Sequence, residues 1–398
     1  MSVTAARGFR AAGVCAGLKA SGKPDLALVV NDGPLDTAAG VFTTNRVVAA
    51  PVVWSRRLLA GQEGGRPGHA RAVVLNSGSA NACTGEQGLR DTEATAACTA
   101  GLLRTEPGQV LVCSTGVIGE RIDMPVLLEG IDVAALALAD TPRAGTDAAT
   151  AIMTTDTVSK EDVLTVGTGE KGWTVGGMIK GVGMLAPGLA TMLAVITTDA
   201  VLTPREAQDA LASVTARTVN RINSDGCMST NDTVLLLASG ASGVTPSRAE
   251  FDEALTDVMG RLGRRLVADA EGATHDIAIT VSGAVSEAAA EAAARTVSSS
   301  NLLKCAVAGA DPNWGRVLSQ LGTVPEDVCP FNPDEVDVTI NGVTIFRHGA
   351  PDQDRDTVDM SPRETRIDIA LSAGQAEATV WTNDLTHGYV TINADYTT

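Results

Sequence analysis

The chain has 398 residues, enough at roughly 150 residues per domain for two or three domains, and its 44% apolar and 19% charged residues are the balance of a water-soluble globular protein. With 30 Lys and Arg against 47 Asp and Glu, the formal charge of −17 opposes the phosphate neutralisation on which nucleic-acid binding rests, and anionic membrane surfaces are poor partners on the same ground. No run approaches the roughly 18 uninterrupted apolar residues of a membrane span, and seven cysteines, odd in number and without a C-x-x-C pair, suit a reducing cytoplasm better than a disulfide framework or a zinc knuckle.

Near the start, Arg7 and Arg10 precede the short run Ala11 to Leu18, which two glycines interrupt and Lys19 ends, so it reads as ordinary chain and not as a signal peptide. Gly17-Leu-Lys-Ala-Ser-Gly22-Lys23 has P-loop spacing, but Pro24 stands where Ser or Thr must hold magnesium, so no nucleotide site is expected. Strands are expected over Leu26–Val30, Ala72–Leu75, Val110–Cys113 and Val234–Ala238, each followed by Ser or Asn, with the Gly/Pro-rich stretch Gly61 to Gly68 as a loop. Gly181-Val-Gly183-Met-Leu-Ala186 matches a relaxed dinucleotide pattern, yet Pro187-Gly188 follow where a helix would propagate, and a loop is the better reading.

Two helices carry their own start signals. Thr203-Pro204-Arg205-Glu206 and Ser247-Arg248-Ala249-Glu250 are capping boxes, and the second continues with Phe251, Leu255, Val258, Leu262 and Leu266 on one face until Gly272 stops it. Asp276 to Val281 reads as a strand, with a domain boundary close by, and Ser286 to Ser300 as an Ala-rich helix with Glu287, Glu291 and Arg295 on one side. The acidic Pro351 to Asp359 reads as a loop. Alternating strands and helices imply an α/β or α+β fold. Four scattered histidines (69, 275, 348, 387) form neither a metal-ligand spacing nor an H-E-x-x-H motif, and no G-x-S-x-G elbow occurs.

What remains is Lys180-Gly-Val-Gly-Met-Leu-Ala-Pro-Gly-Leu-Ala190-Thr191-Met-Leu, a glycine-rich loop entering a Thr-rich apolar segment. It resembles the K-G-x-G-M-x-x-P-x-x-A-T-M-L segment of the glutamate N-acetyltransferase family, also called ornithine acetyltransferases, with Leu189 where Met is commoner. The likeness runs the length of the chain: Ala16 to Leu28, Ala39 to Arg46, Asn76 to Gly85 (with Ser79 in place of Asn), Ser114 to Gly119, Ile152 to Asp156, Ser229 to Thr233, Gly309 to Arg316 and the tail Gly388 to Thr398 are all similar to family segments.

The resemblance implies that the protein cuts its own Ala190-Thr191 bond and that Thr191 becomes the nucleophile. The chemistry is coherent: a threonine hydroxyl needs a base, no histidine is placed to serve, and the α-amine of Thr191 exists only once the preceding peptide bond is broken. Such an amine has a pKa of roughly 8, and a neighbouring cation such as Lys180 would raise its unprotonated fraction. By the same resemblance Thr115 and Gly116 donate to the oxyanion, and Thr154, Lys180, Thr191, Glu271, Asn393 and Thr398 contact substrate. On the residues alone, Ser114-Thr-Gly also reads as a turn after the strand ending at Cys113, and Lys180 as a solvated surface group. Glu271 is placed at a helix end, where a carboxylate opposes the macrodipole and is better explained by a substrate ammonium. Asn393 and Thr398 require the tail to dock into the site.

The implied activity is transfer of acetyl from N-acetylornithine to glutamate through acetyl-Thr191, the recycling step of arginine biosynthesis, without metal or bound cofactor. The implied fold is a layered α/β sandwich resembling N-terminal nucleophile hydrolases, with a catalytic domain over 1–275, a smaller C-terminal α/β domain over 276–385 and a returning tail over 386–398. The two fragments are expected to stay together as α and β chains of an α2β2 heterotetramer in the cytoplasm, with no nucleic-acid or membrane partner. Rival readings are the same fold with acetyl-CoA as donor, an N-terminal-threonine amidase or aminopeptidase, and a non-catalytic relative that retains the fold.

Overall fold

A computed structural model describes residues 2–184 and 192–395. The chain opens with β1 (Phe9–Val14), β2 (Leu26–Asn31), β3 (Thr37–Phe42), α1 (Ala50–Leu59), β4 (Ala72–Ser79), α2 (Gly85–Leu103), β5 (Val110–Val117), α3 (Met124–Leu136) and α4 (Pro142–Ala151). Strands β1, β2, β4 and β5 form one sheet in that order, antiparallel except for the parallel pair β4–β5. The middle of the chain supplies β6 (Lys160–Val166), β7 (Trp173–Lys180), β8 (Leu193–Thr198), α5 (Pro204–Arg217), β9 (Thr233–Ala238) and α6 (Arg248–Ala268). With β3 these strands make a second sheet, ordered β3-β9-β8-β7-β6.

The two sheets stack because their strands are apolar on both faces. Leu193, Val195, Leu235 and Leu237 join the apolar cluster of the first sheet. Their neighbours Ala194, Ile196, Val234 and Leu236 join the opposite cluster, built on α5 and α6. That alternation is the two-residue period of a strand, and the result is a layered α/β sandwich. Each fully buried Leu or Val contributes about 1.5–3 kcal/mol of transfer free energy.

The third sheet is built from residues after 275. It comprises β10 (Asp276–Ala284), then, beyond α7 (Glu287–Ser298), α8 (Asn301–Ala308) and α9 (Trp314–Leu321), strands β11 (Asp337–Ile340), β12 (Val343–Arg347), β13 (Ala350–Pro351), β14 (Glu364–Ala370) and β15 (Ala376–Asn383), before α10 (His387–Asp395). Ile277, Ile279 and Val281 of β10 face α7 across one apolar cluster. Arg221, just after α5, pairs with Glu287 and Glu291 of α7 and ties this layer to the sandwich. Among the described residues no helix is long and apolar enough to cross a membrane.

Both capping boxes form as the sequence predicts, at Thr203/Glu206 and Ser247/Glu250, each cap being worth about 1 kcal/mol. Helix α6, however, stops at Ala268, before Gly272, and the Asp269 that follows it gives its carboxylate to the Thr157 N–H at 3.0 Å and the Lys160 Nζ at 2.5 Å. Strands β4 and β5 outrun their apolar stretches by four residues, to Ser79 and Val117, since pairing carries their polar ends. Ser114-Thr115-Gly116 therefore lies in a strand and not in a turn. The acidic stretch after Ala350 is partly ordered, with Ala350–Pro351 paired to Phe346 and Arg347. The P-loop-like segment is also explained: the buried Asp25 carboxylate accepts the N–H groups of Ala16, Gly17, Leu18 and Lys19 at 2.6–3.1 Å, so the loop's amides hold the chain's own anion.

Candidate active site

Six of the residues singled out from sequence, Thr115, Gly116, Thr154, Lys180, Glu271 and Asn393, line one pocket. Ala190, Thr191 and Thr398 lie outside the described residues. The six come from five separate places: the end of β5, the turn after α4, the end of β7, the loop after α6, and α10.

Thr115 and Gly116 are set by a bulge where β5 runs beside β4 at Gly78 and Ser79. Gly116 has φ +132°, and a Cβ there would sit 2.4 Å from the Gly78 carbonyl carbon, so only glycine lets the strands approach. Asn231 fixes the strand from the far side by donating to the Ala80 and Ser114 carbonyls at 2.6 and 2.9 Å. Lys180 is 2% exposed, contrary to the surface reading, and its Nζ donates to the Thr115 Oγ1 at 3.2 Å. Because that bond occupies a lone pair of the hydroxyl, the Thr115 O–H remains a donor.

Burial pushes the Lys180 ammonium below its ordinary range, against the pull of Asp156, Asp232 and Glu271. Asp156 is the hinge of a buried charge cluster. It takes the Lys160 Nζ at 2.7 Å and the Gly181 and Thr154 N–H groups at 2.8 and 3.0 Å, while Lys160 also meets Asp269. Burial alone would raise the Asp156 carboxyl, but Lys180 and Lys160, with their hydrogen bonds, outweigh it and hold the group at about 2.

A folded-state pKa below the ordinary 3.8 means that the contribution of Asp156 to stability is present above pH 3.8 and is lost as pH falls from there toward 2. Asp156→Asn is expected to lower stability near neutrality by about 3–5 kcal/mol, the range for breaking a buried pair. Urea unfolding at several pH values checks this: the variant should lose less than the parent between pH 4 and pH 2.

Glu271 lies three residues past the end of α6, not at the helix end, so the macrodipole argument falls away. Its position is fixed instead by hydrogen bonds: its N–H donates to Val182 O at 3.0 Å, and its carboxylate accepts from Thr155 Oγ1 and from Asn393 Nδ2, each at 2.9 Å. The tail thus reaches the pocket through α10. At its root Thr386 Oγ1 donates to the Gly272 carbonyl at 2.6 Å, and Gly272, at φ +66°, leaves no room for a Cβ against the Tyr389 amide.

Asp232, within the stretch Ser229 to Thr233, has no role assigned from the sequence. It is fully buried just before β9, accepts the Met192 N–H at 3.0 Å, and has the Ser229 hydroxyl beside its carboxylate. Burial raises its carboxyl well above the usual range. Met192 is bonded to Thr191, and on the other side of the segment 185–191 the Met184 N–H donates to Asp225 at 2.6 Å. Carboxylates, buried at Asp232 and half-buried at Asp225, therefore hold both chain ends that flank the proposed cleavage site. A lone Asp ahead of an unbroken apolar strand was the available signal. Chemically, the pocket offers an ammonium and a carboxylate to a small zwitterion, beside a strand end whose hydroxyl and glycine face one space.

The ArgJ family model matches residues 10–398 of the chain. The arginine biosynthesis bifunctional protein ArgJ of Bifidobacterium longum is 58% identical over 398 residues, covering 100% of both chains. The protein of the same name from Streptomyces coelicolor is 55% identical over 396 residues, again covering 100% of each. Among solved structures, an ornithine acetyltransferase complexed with ornithine from Mycobacterium tuberculosis is 50% identical, covers 48% of this chain and 96% of that one, and has a TM-score of 0.44.

Proposed function

The chain belongs to the ArgJ family, and from that premise we propose that it moves an acetyl group from N-acetylornithine to glutamate through an acetyl ester on Thr191. It is an acetyltransferase of arginine biosynthesis. Hydrolysis of the Ala190-Thr191 bond first frees the Thr191 α-amine. The Thr191 hydroxyl then attacks the acetyl carbonyl, and its proton passes to that amine. The resulting oxyanion takes hydrogen bonds from the Thr115 O–H and the Gly116 N–H. Collapse breaks the C–N bond, the proton goes to the departing ornithine amine, and the glutamate amine repeats the sequence in reverse.

The observation that carries this reading is the Lys180 to Thr115 hydrogen bond, 3.2 Å long and fully buried, which turns a threonine into a donor beside the one residue type that lets a backbone N–H come as close. In the same reading Lys180 holds the α-carboxylate common to both substrates, Glu271 with Asn393 meets the ammonium of N-acetylornithine, and Thr154 and Thr398 complete the contacts. We assign residues 1–275 to the catalytic domain, 276–385 to the smaller domain and 386–398 to the tail, and the two fragments to an α2β2 heterotetramer in the cytoplasm.

Steady-state kinetics tests the proposal. Double-reciprocal plots for ornithine formation at fixed glutamate concentrations should be parallel, since ornithine must leave before glutamate enters. With glutamate withheld, the fragment that begins at Thr191 should gain the mass of one acetyl group. Intersecting plots with no acetylated fragment would mean direct transfer in a ternary complex, and rapid release of acetate would make water the working acceptor and the protein a hydrolase.

A further inference from the structure

A second polar cavity, of about 180 Å³, adjoins the catalytic pocket, and Glu271 is a wall of both. The two spaces also meet where Asp225, on the cavity wall, takes the N–H of the pocket residue Met184. The cavity contains an ammonium, that of Lys304 on α8, a residue only 5% exposed. Lys304 Nζ donates to the Ser224 carbonyl, and among the described residues no carboxylate lies within ion-pair reach of it. A buried cation held by one neutral carbonyl is costly unless something anionic is brought to it. Burial accordingly pushes the ammonium down, against Asp225 and Asp384.

The carboxylates nearby are occupied by other donors. Asp225 accepts the N–H groups of Met184 and Cys227, at 2.6 and 3.1 Å. Asp384 accepts from the backbone N–H of Thr274 and of His275 and faces the His275 ring at 2.9 Å. The signal in the sequence is a lysine inside the apolar run Leu302-Leu-Lys-Cys-Ala-Val-Ala308.

The acetyl-transfer reading makes this cation necessary. N-acetylornithine and glutamate share an α-carboxylate and react at the same α-nitrogen, and their side chains end the same number of bonds from Cα, but in opposite charges. Glu271, a wall of both spaces, suits an ammonium, and a carboxylate brought beside it needs a cation of its own. We propose that Lys304 recognises the side-chain carboxylate of the incoming acceptor, in the cavity that adjoins the catalytic pocket at Glu271. The proposal rests on that reading: one pocket serves two amino acids of opposite side-chain charge by sending each to its own counter-charge.

The test is acceptor discrimination by the full, self-processed protein. Glutamate is compared with norvaline, which has a side chain of similar length without the charge, by kcat/KM for acetyl transfer from N-acetylornithine. Lys304→Met should lower the preference for glutamate over norvaline by about 10- to 100-fold, the usual effect of losing a hydrogen bond between charged groups. A structural role would slow both acceptors alike, and a preference equal to that of the parent would overturn the proposal. Should the variant not fold, protection of Lys304 from trinitrobenzenesulfonate in the parent protein decides: protection by glutamate and not by norvaline supports the assignment, and equal labelling with both overturns it. Failure of the parent protein to release ornithine from N-acetylornithine would instead overturn the acetyl-transfer reading, a separate result.

Discussion

Thr191→Ala is expected to run under denaturing conditions as one intact chain and to have no measurable acetyltransferase activity, whereas the parent protein is expected to separate into residues 1–190 and 191–398. The effect is the largest of any single change because one atom serves twice. In the proposed mechanism the Thr191 hydroxyl attacks the Ala190 carbonyl during maturation and the acetyl carbonyl during turnover, and without the first event there is no α-amine to act as base in the second. Intact mass and N-terminal sequencing of purified material check the first half, and ornithine release the second. Active parent protein that consists only of the uncut chain would refute the mechanism. Thr191→Ser keeps a hydroxyl and should still cut, more slowly.

Thr115→Ala should lower kcat by roughly 100-fold while changing the KM for N-acetylornithine little, because loss of one oxyanion donor is felt in the transition state and not in the ground state. The geometry is specific about the reason. Lys180 donates to Thr115 Oγ1 at 3.2 Å, so the Thr115 proton is the one left to point at the reacting oxygen. Thr115→Ser, which keeps that proton, should recover most of the rate, whereas Thr115→Val, which keeps the shape, should not. A Thr115→Ala variant with unaltered kcat would return the residue to a purely structural role in β5.

Local features were readable in the sequence without help from the rest of the molecule. The capping boxes at Thr203 and Ser247 need only residues three apart, and α5 and α6 begin where those signals say. The apolar face that continues along α6 follows from the period of 3.6, and the cores of β2, β4, β5 and β9 from short apolar runs closed by Ser or Asn. The proposed nucleophile and oxyanion pair were legible only as a resemblance, since nothing in the spacing of Thr115, Lys180 and Glu271 places them together.

Tertiary structure decided the rest, because the energies concerned are not local. Lys180 is a surface lysine by composition and a buried one in fact, held by the charge of Asp156 and the hydroxyl of Thr115, which come from other strands and loops. Helix α6 ends before its glycine, and the Asp269 that follows it meets Lys160, more than 100 positions away in sequence. The amides of the P-loop look-alike close on Asp25, a residue of the chain itself. Sequence determines what each segment is able to form by itself, through propensity, periodicity and capping. Which charges are buried, and therefore which groups face the reacting atoms, depends on pairs that only the folded chain brings within hydrogen-bond reach, where low dielectric makes a partner worth several kcal/mol and its absence a comparable penalty.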